Sequence, residues 1–222
     1  MMSALRPRIP RDQITGLILA GGQGSRMGGV DKGLQLLRGR ALVEHAIERL
    51  QPQVGPLAIS ANRNVDVYQS HGFPVWPDSP IGSPVDPPFS PPSNPPSGRF
   101  AGPLAGIATG LAAARTDWLL IVPCDAPLFP LDLADKFIEA LVISTADLAF
   151  AATTQADGTH QRHPVFALLP TRLAASAAEQ LAGEVWKLGA WYGHHNAVEV
   201  GFWDSRAFYN ANTLRELQAL ER

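Results

Sequence analysis

Residues 17–33 read LILAGGQGSRMGGVDKG: an apolar run that opens into six glycines, with Arg26, Asp31 and Lys32 set among them. Glycine has no side chain to hold a ligand off, so a glycine-rich strand exit lets the backbone come close to one. Peptide N–H groups turned inward there make a concavity for phosphate oxygens. Arg26 can clamp a phosphate through two hydrogen bonds, and Lys32 can act as a mobile point charge. The spacing excludes the two common nucleotide loops: Met27 stands where G-x-G-x-x-G needs its last glycine, and no G-K-[ST] follows. The glycines alone favour a solvated turn; strand exit, cations and a later strand-end carboxylate together point to phosphate binding.

Two carboxylates stand at the ends of other apolar runs. Asp125 in VPCDAP follows the run WLLIV, and the carboxyl ends of parallel strands are where ligands bind in open α/β sheets. A carboxylate beside a triphosphate either repels it or shares a cation with it, and Mg²⁺ takes one or two carboxylates plus phosphate oxygens. Asp125 is therefore the expected metal ligand; its structural alternative is a helix N-cap. Asp78 in PDS has the composition of an ordinary turn. Asp31 either orients Lys32 or is solvated, and has no part in the expected metal site.

The elements that must position these residues alternate between strand-length apolar runs and helical periods, the pattern of an α/β three-layer sandwich with a mostly parallel central sheet. Strands are expected at GLILA (16–20), PLAISA (56–61), PVW (74–76), DWLLIVP (117–123), DLAFAA (147–152), HPVFALL (163–169) and, as an edge, AVEVGF (197–202). Helices are expected at ALVEHAIERL, with Leu42, Val43, Ala46, Ile47 and Leu50 on one stripe, and at LAGIATGLAAA, LDLADKFIEAL, TRLAASAAEQLA, EVWKLGAWYG and TLRELQAL. Ten of the twenty prolines fall between Pro77 and Pro103, a density that forbids both helix and sheet ladder. The organisation expected is a frayed lead-in at 1–13 and one domain over 14–222 with a proline-rich insertion at about 79–101.

A formal net charge of -2 offers no broad basic face for nucleic acid or anionic lipid. No apolar run reaches the length that spans a bilayer. Cys124 is the only cysteine, which excludes an internal disulfide and a multi-cysteine metal cage and points to a reducing cytoplasm.

The ordered set LAGGQGSRMGGVDKGL, ANR (61–63), Asp78, GPLAGI (102–107), PCDAP (123–127), HPVFAL (163–168) and FYNANT (208–213) resembles the molybdenum cofactor guanylyltransferases, the MobA family, over nearly the whole chain after Ile14. The resemblance implies a nucleotide-diphospho-sugar-transferase-like, Rossmann-like fold, and transfer of GMP from GTP to the terminal phosphate of molybdopterin with release of pyrophosphate. It implies Mg²⁺ as cofactor on Asp125, catalytic roles for Arg26, Lys32 and Asp125, and a nucleotide site of Leu19, Ala20, Gly21, Gly22, Lys32, Ser60, Asn62, Asp78 and Asp125. Ser60 departs from the family, which commonly has Asn there. The acceptor side is assigned to Arg162, His163, Asn210 and Asn212; Asn212 or Thr213 is alternatively the cap of a last helix, and His163 alternatively a structural histidine. Implied partners are GTP, molybdopterin and, transiently, molybdenum-insertion proteins or molybdoenzyme chaperones, with no nucleic acid or membrane. The alternatives are a cytidylyltransferase or sugar-phosphate nucleotidyltransferase, or a nucleotide- or cofactor-binding module without turnover.

Related enzymes join Asp78 to the GPLAG segment by a much shorter link, so deleting Ile81 to Ser97 is expected to leave folding intact. Loop-closure entropy changes by only about 0.6 kcal/mol per doubling of length. Thermal unfolding checks this, and loss of a cooperative transition would show a structural element inside the insertion.

Overall fold

The computed structural model describes residues 8–20, 30–78, 102–155, 157–183, 186–211 and 216–217. Among them, Ile14–Leu19 (β1), Leu57–Ser60 (β4), Val75–Trp76 (β5), Trp118–Pro123 (β6), Leu148–Thr154 (β7), His160–Pro170 (β8) and Ala197–Phe202 (β9) form one sheet. A separate two-stranded hairpin, Leu36–Leu37 (β2) and Arg40–Ala41 (β3), follows the first loop. The large sheet runs β5-β4-β1-β6-β8-β7-β9. All its neighbours pair in parallel except β8, which is antiparallel to both β6 and β7. The order reverses beside β1: the next strands extend outward through β4 and β5, and the chain then returns to place β6 on the other side. Open α/β sheets bind ligands in the crevice at such a reversal, here past the ends of β1 and β6, where Leu19 is in register with Pro123.

Leu42–Leu50 (α1), Val65–Gln69 (α2) and Leu133–Ile143 (α4) cover one face of the sheet, and Pro103–Ala113 (α3), Ala174–Ala182 (α5) and Leu188–Tyr192 (α6) cover the other. Central strands bury side chains on both faces: Ile18 joins the core under α1, while Leu17 joins the core under α3. In α1 the expected stripe holds, with Leu42, Val43, Ala46 and Leu50 buried and Ile47 partly so. Glu44 accepts a hydrogen bond from the Ala41 N–H at 2.8 Å, satisfying a donor that the helix start leaves over.

The composition of α3 has a packing reason. Gly106 and Gly110 lie one turn apart on the face toward the sheet. A Cβ on Gly110 would come within 2.5 Å of Leu17 Cδ2, and one on Gly106 within 2.6 Å of Ser60 Oγ and 3.0 Å of Leu19 Cδ2. Small residues here bring the helix backbone close to the ends of β1 and β4.

Two sequence expectations need correction. The stretch before β1 is not frayed throughout. Arg11–Gln13 forms a 3-10 turn, and Arg11 donates to the Pro52 carbonyl at 3.0 Å and to Asp135 at 2.7 Å. The helix expected across EVWKLGAWYG is, among the described residues, confined to α6, with Trp186 and Lys187 outside it. Pro164 has a further effect inside β8. It lacks an N–H, and the pairing with β7 shifts register there, from Phe150 opposite Ala167 to Ala151 opposite His163. Among the described residues, no helix is long and apolar enough to cross a membrane.

Replacing Gly110 by Val forces branched carbons into Leu17 and Leu119. Overpacking of this kind is expected to cost about 1–3 kcal/mol, read as a lower urea midpoint; a neutral variant would show that α3 can retreat.

Candidate active site

Lys32 begins the 3-10 turn Lys32–Leu34 after the glycine loop, and Asp125 lies in the turn after β6. The sheet brings the two together across 93 residues of sequence: Lys32 Nζ stands 3.3 Å from Asp125 Oδ2, with side chains 21% and 17% exposed. Helix α4 starts only at Leu133, so Asp125 is no helix cap. Burial pushes the Asp125 carboxyl above its usual range, while Lys32 and a backbone hydrogen bond pull it down. Burial wins. Among the described residues Lys32 is the cation acting on this carboxylate, and a bound cation would lower its pKa further.

The turn carrying Asp125 is held from behind by α1 and the turn that follows it. Arg49 Nε donates to the Phe129 carbonyl at 2.6 Å, with its guanidinium 5.8 Å from the Phe129 ring centroid. Gln53 is buried; its amide donates to the Pro130 carbonyl at 3.1 Å and to the Arg49 carbonyl at 2.8 Å, and accepts from Ala134 N–H at 2.9 Å. Neither residue has a sequence signal of its own, since each acts from a helix end more than 70 residues away in sequence.

At the end of β4, Asn62 and Asp78 bind each other reciprocally. The Asn62 amide donates to Asp78 Oδ2 at 2.8 Å and its carbonyl accepts from the Asp78 N–H at 2.7 Å. Burial raises the Asp78 carboxyl and the Asn62 bond lowers it. Ser60 is buried beneath α3 with its hydroxyl facing Gly106, so the more open polar groups at this strand end belong to Asn62 and Asp78. Leu19 and Ala20 complete the strand ends: the Leu19 carbonyl accepts from Cys124 N–H at 3.1 Å, and Ala20 N–H donates to the Ser60 carbonyl at 2.8 Å.

Among the described acceptor residues, Arg162 and His163 meet different partners. His163 Nε2 is 2.9 Å from Thr153 Oγ1, and the ring stacks on Phe208 at 4.9 Å between centroids; burial lowers its pKa. Arg162, its neighbour in an extended strand, points to the opposite face and pairs with Glu199 at 2.5 Å, which also binds His160 at 2.7 Å. Asn210 is exposed beside Ala211, whose N–H donates to the Asp125 carbonyl at 2.8 Å. That bond brings Asn210 and Ala211 to the turn bearing Asp125. Gly21, Gly22, Arg26 and Asn212, along with Thr213 and the proline-rich insertion, lie outside the described residues. Among the described residues, no group of three or more His, Cys, Asp or Glu side chains gathers as a metal cage.

Residues 16–198 match the model of the MobA-like NTP transferase domain. Proteins named molybdenum cofactor guanylyltransferase are similar over almost their whole length: one from Acidovorax ebreus is 48% identical over 96% of this chain and 97% of its own. Another, from Bordetella petrii, is 48% identical over 96% and 99%. Among solved structures, the molybdopterin-guanine dinucleotide biosynthesis protein A of Archaeoglobus fulgidus aligns with a TM-score of 0.67 at 17% identity, covering 93% of this chain and 96% of that one. A 4-diphosphocytidyl-2C-methyl-D-erythritolsynthase from Anaerococcus prevotii aligns with a TM-score of 0.69 at 12% identity, covering 95% of each. The fold is therefore the nucleotide-diphospho-sugar transferase fold, and it does not by itself distinguish a guanine-using enzyme from a cytosine-using one.

Gln53→Leu keeps volume but strands the Pro130 carbonyl and the Ala134 N–H. Its expected cost is about 1–3 kcal/mol in urea unfolding, and an unchanged midpoint would remove Gln53 as the brace of this turn.

Proposed function

The chain belongs to the MobA-like NTP transferase family, and from that premise we propose that it transfers GMP from GTP to the terminal phosphate of molybdopterin, giving the guanine dinucleotide cofactor and pyrophosphate. The observation that carries the reading is the Lys32–Asp125 pair at the crevice between β1 and β6, in a chain 48% identical to proteins named for that activity. Its close relatives by sequence favour guanine over the cytosine chemistry named for one of its structural neighbours.

In this reading an oxygen of the acceptor phosphate attacks the α-phosphorus of GTP in line. The bond from the α-phosphorus to the bridging oxygen breaks, and its electron pair leaves with pyrophosphate. The acceptor phosphate is already anionic near neutral pH, so no general base is needed. Catalysis rests on positioning and on charge placed in advance. Lys32, with Arg26, neutralises negative charge on the triphosphate as it shifts toward the leaving group. Asn62 and Asp78 face the nucleoside at the end of β4, and Asn210 faces the acceptor beside Asp125.

Asp125 fits Mg²⁺: it is a hard oxygen donor, largely buried, and burial outweighs the pull of Lys32, the cation beside it among the described residues. When bound there with the nucleotide, the ion supplies charge neutralisation of the phosphates. The reading places the reaction in a reducing cytoplasm.

The test is the purified chain with GTP, Mg²⁺ and molybdopterin, monitored for guanine dinucleotide and pyrophosphate in equal amounts. Consumption of CTP in preference to GTP would assign the other base, and no pyrophosphate with either would make the chain a binding module. Lys32→Ala is expected to lose about 10²-fold or more in turnover while remaining folded. Asp125→Asn is expected to abolish the Mg²⁺-dependent rate, because it keeps the shape and removes the charge.

A further inference from the structure

Asp31 immediately precedes Lys32, and three donors, one from its own turn and two from α2 and its N-cap, converge on its carboxylate. Oδ1 accepts from the Tyr68 hydroxyl at 2.6 Å and from Gly33 N–H at 3.1 Å; Oδ2 accepts from the Asn64 amide at 2.9 Å. The Asp31 carbonyl also accepts from the Gln35 side chain at 3.2 Å. Tyr68, on α2, is fully buried, and Gly33 lies so close that a Cβ there would land on the Tyr68 hydroxyl. The turn holding Lys32 is thus pressed onto α2 with no room between.

Asn64 shows what this contact costs elsewhere. It holds a left-handed backbone, φ 50° and ψ 35°, at the N-cap position of α2, and its side chain makes no cap to its own helix. A left-handed non-glycine residue and an uncapped helix start both disfavour α2. The amide reaches Asp31 instead. Two residues earlier, Asn62 is locked to Asp78, so the same short segment holds both the Lys32 turn and the polar pair at the end of β4.

Lysine carries its charge on four flexible carbons, and an ammonium is preorganised only if the backbone beneath it is fixed. We propose that Tyr68, through Asp31, is a positioning residue for Lys32, and that Asn64 ties the Lys32 turn to the segment bearing Asn62. The proposal rests on Lys32 acting on the triphosphate as described above.

Tyr68→Phe keeps the buried ring and removes only the donor. It is expected to lower kcat about tenfold, the rate equivalent of one hydrogen bond's net worth, with KM for GTP nearly unchanged. In a Lys32→Ala background the same change is expected to cost less than about twofold, because no ammonium remains to be placed. An equal loss in both backgrounds would make Tyr68 merely structural and overturn the proposal. A second readout does not depend on turnover: the acetylation rate of Lys32 by acetic anhydride, followed by mass spectrometry in the full chain. It is expected to rise in Tyr68→Phe and Asn64→Ala and to stay level in Val67→Ala, an exposed position on α2; an unchanged rate in the first two overturns the proposal. If Lys32→Ala instead turns over like the parent, it is the catalytic reading of Lys32 that fails, while the labelling still reports whether Tyr68 and Asn64 place its amine.

Discussion

A lysine and an aspartate of opposite charge are held 3.3 Å apart in a largely buried crevice, and the surrounding architecture makes sense as the means of holding them there. Withdrawing either charge from water is unfavourable, and their mutual attraction only partly offsets it. The upward push on the Asp125 carboxyl shows on which side the balance falls. In the proposed function such a pair receives a ligand that brings both anionic oxygens and a cation, the phosphates facing Lys32 and the cation facing Asp125.

Each partner is fixed by a different mechanism. The Asp125 turn continues a buried central strand and is pinned by Arg49 and Gln53, at and just after the end of α1, and by the Ala211 N–H from the far end of the chain. Lys32 has no such strand beneath it, because the glycine loop separates it from β1. Its turn is held by Asp31, through Tyr68 and Asn64, and by the hairpin that follows, in which Arg38 and Gly39 both adopt positive φ. Such a turn matches the twist of the paired strands.

Much of this was legible in the sequence, for physical reasons. Apolar runs such as WLLIV announce central strands because parallel strands are buried on both faces. The carboxyl-end position of Asp125 followed from where its run stopped. The strands β7 and β8 were each readable from an apolar run, but the antiparallel sense of β8 was not among the expectations. Several short elements were not legible: α2 has five residues and β2 and β3 two each, too few for a period to register, although the equally short β5 falls within the expected PVW. Asp31 could be read only as orienting Lys32 or as solvated, since its partners Tyr68 and Asn64 lie more than 30 residues on. Arg162 and His163 were both expected on the acceptor side; what the sequence does not show is that neighbouring side chains in a strand point to opposite faces, so that these two meet Glu199 and Phe208 respectively.

The most direct test is a crystal structure of the chain with a non-hydrolysable GTP analogue and Mg²⁺. The account predicts that the Lys32–Asp125 contact opens, with the Lys32 ammonium hydrogen-bonded to a phosphate oxygen and the Asp125 carboxylate on the ion. A bound nucleotide whose phosphates lie away from an intact Lys32–Asp125 pair would contradict it.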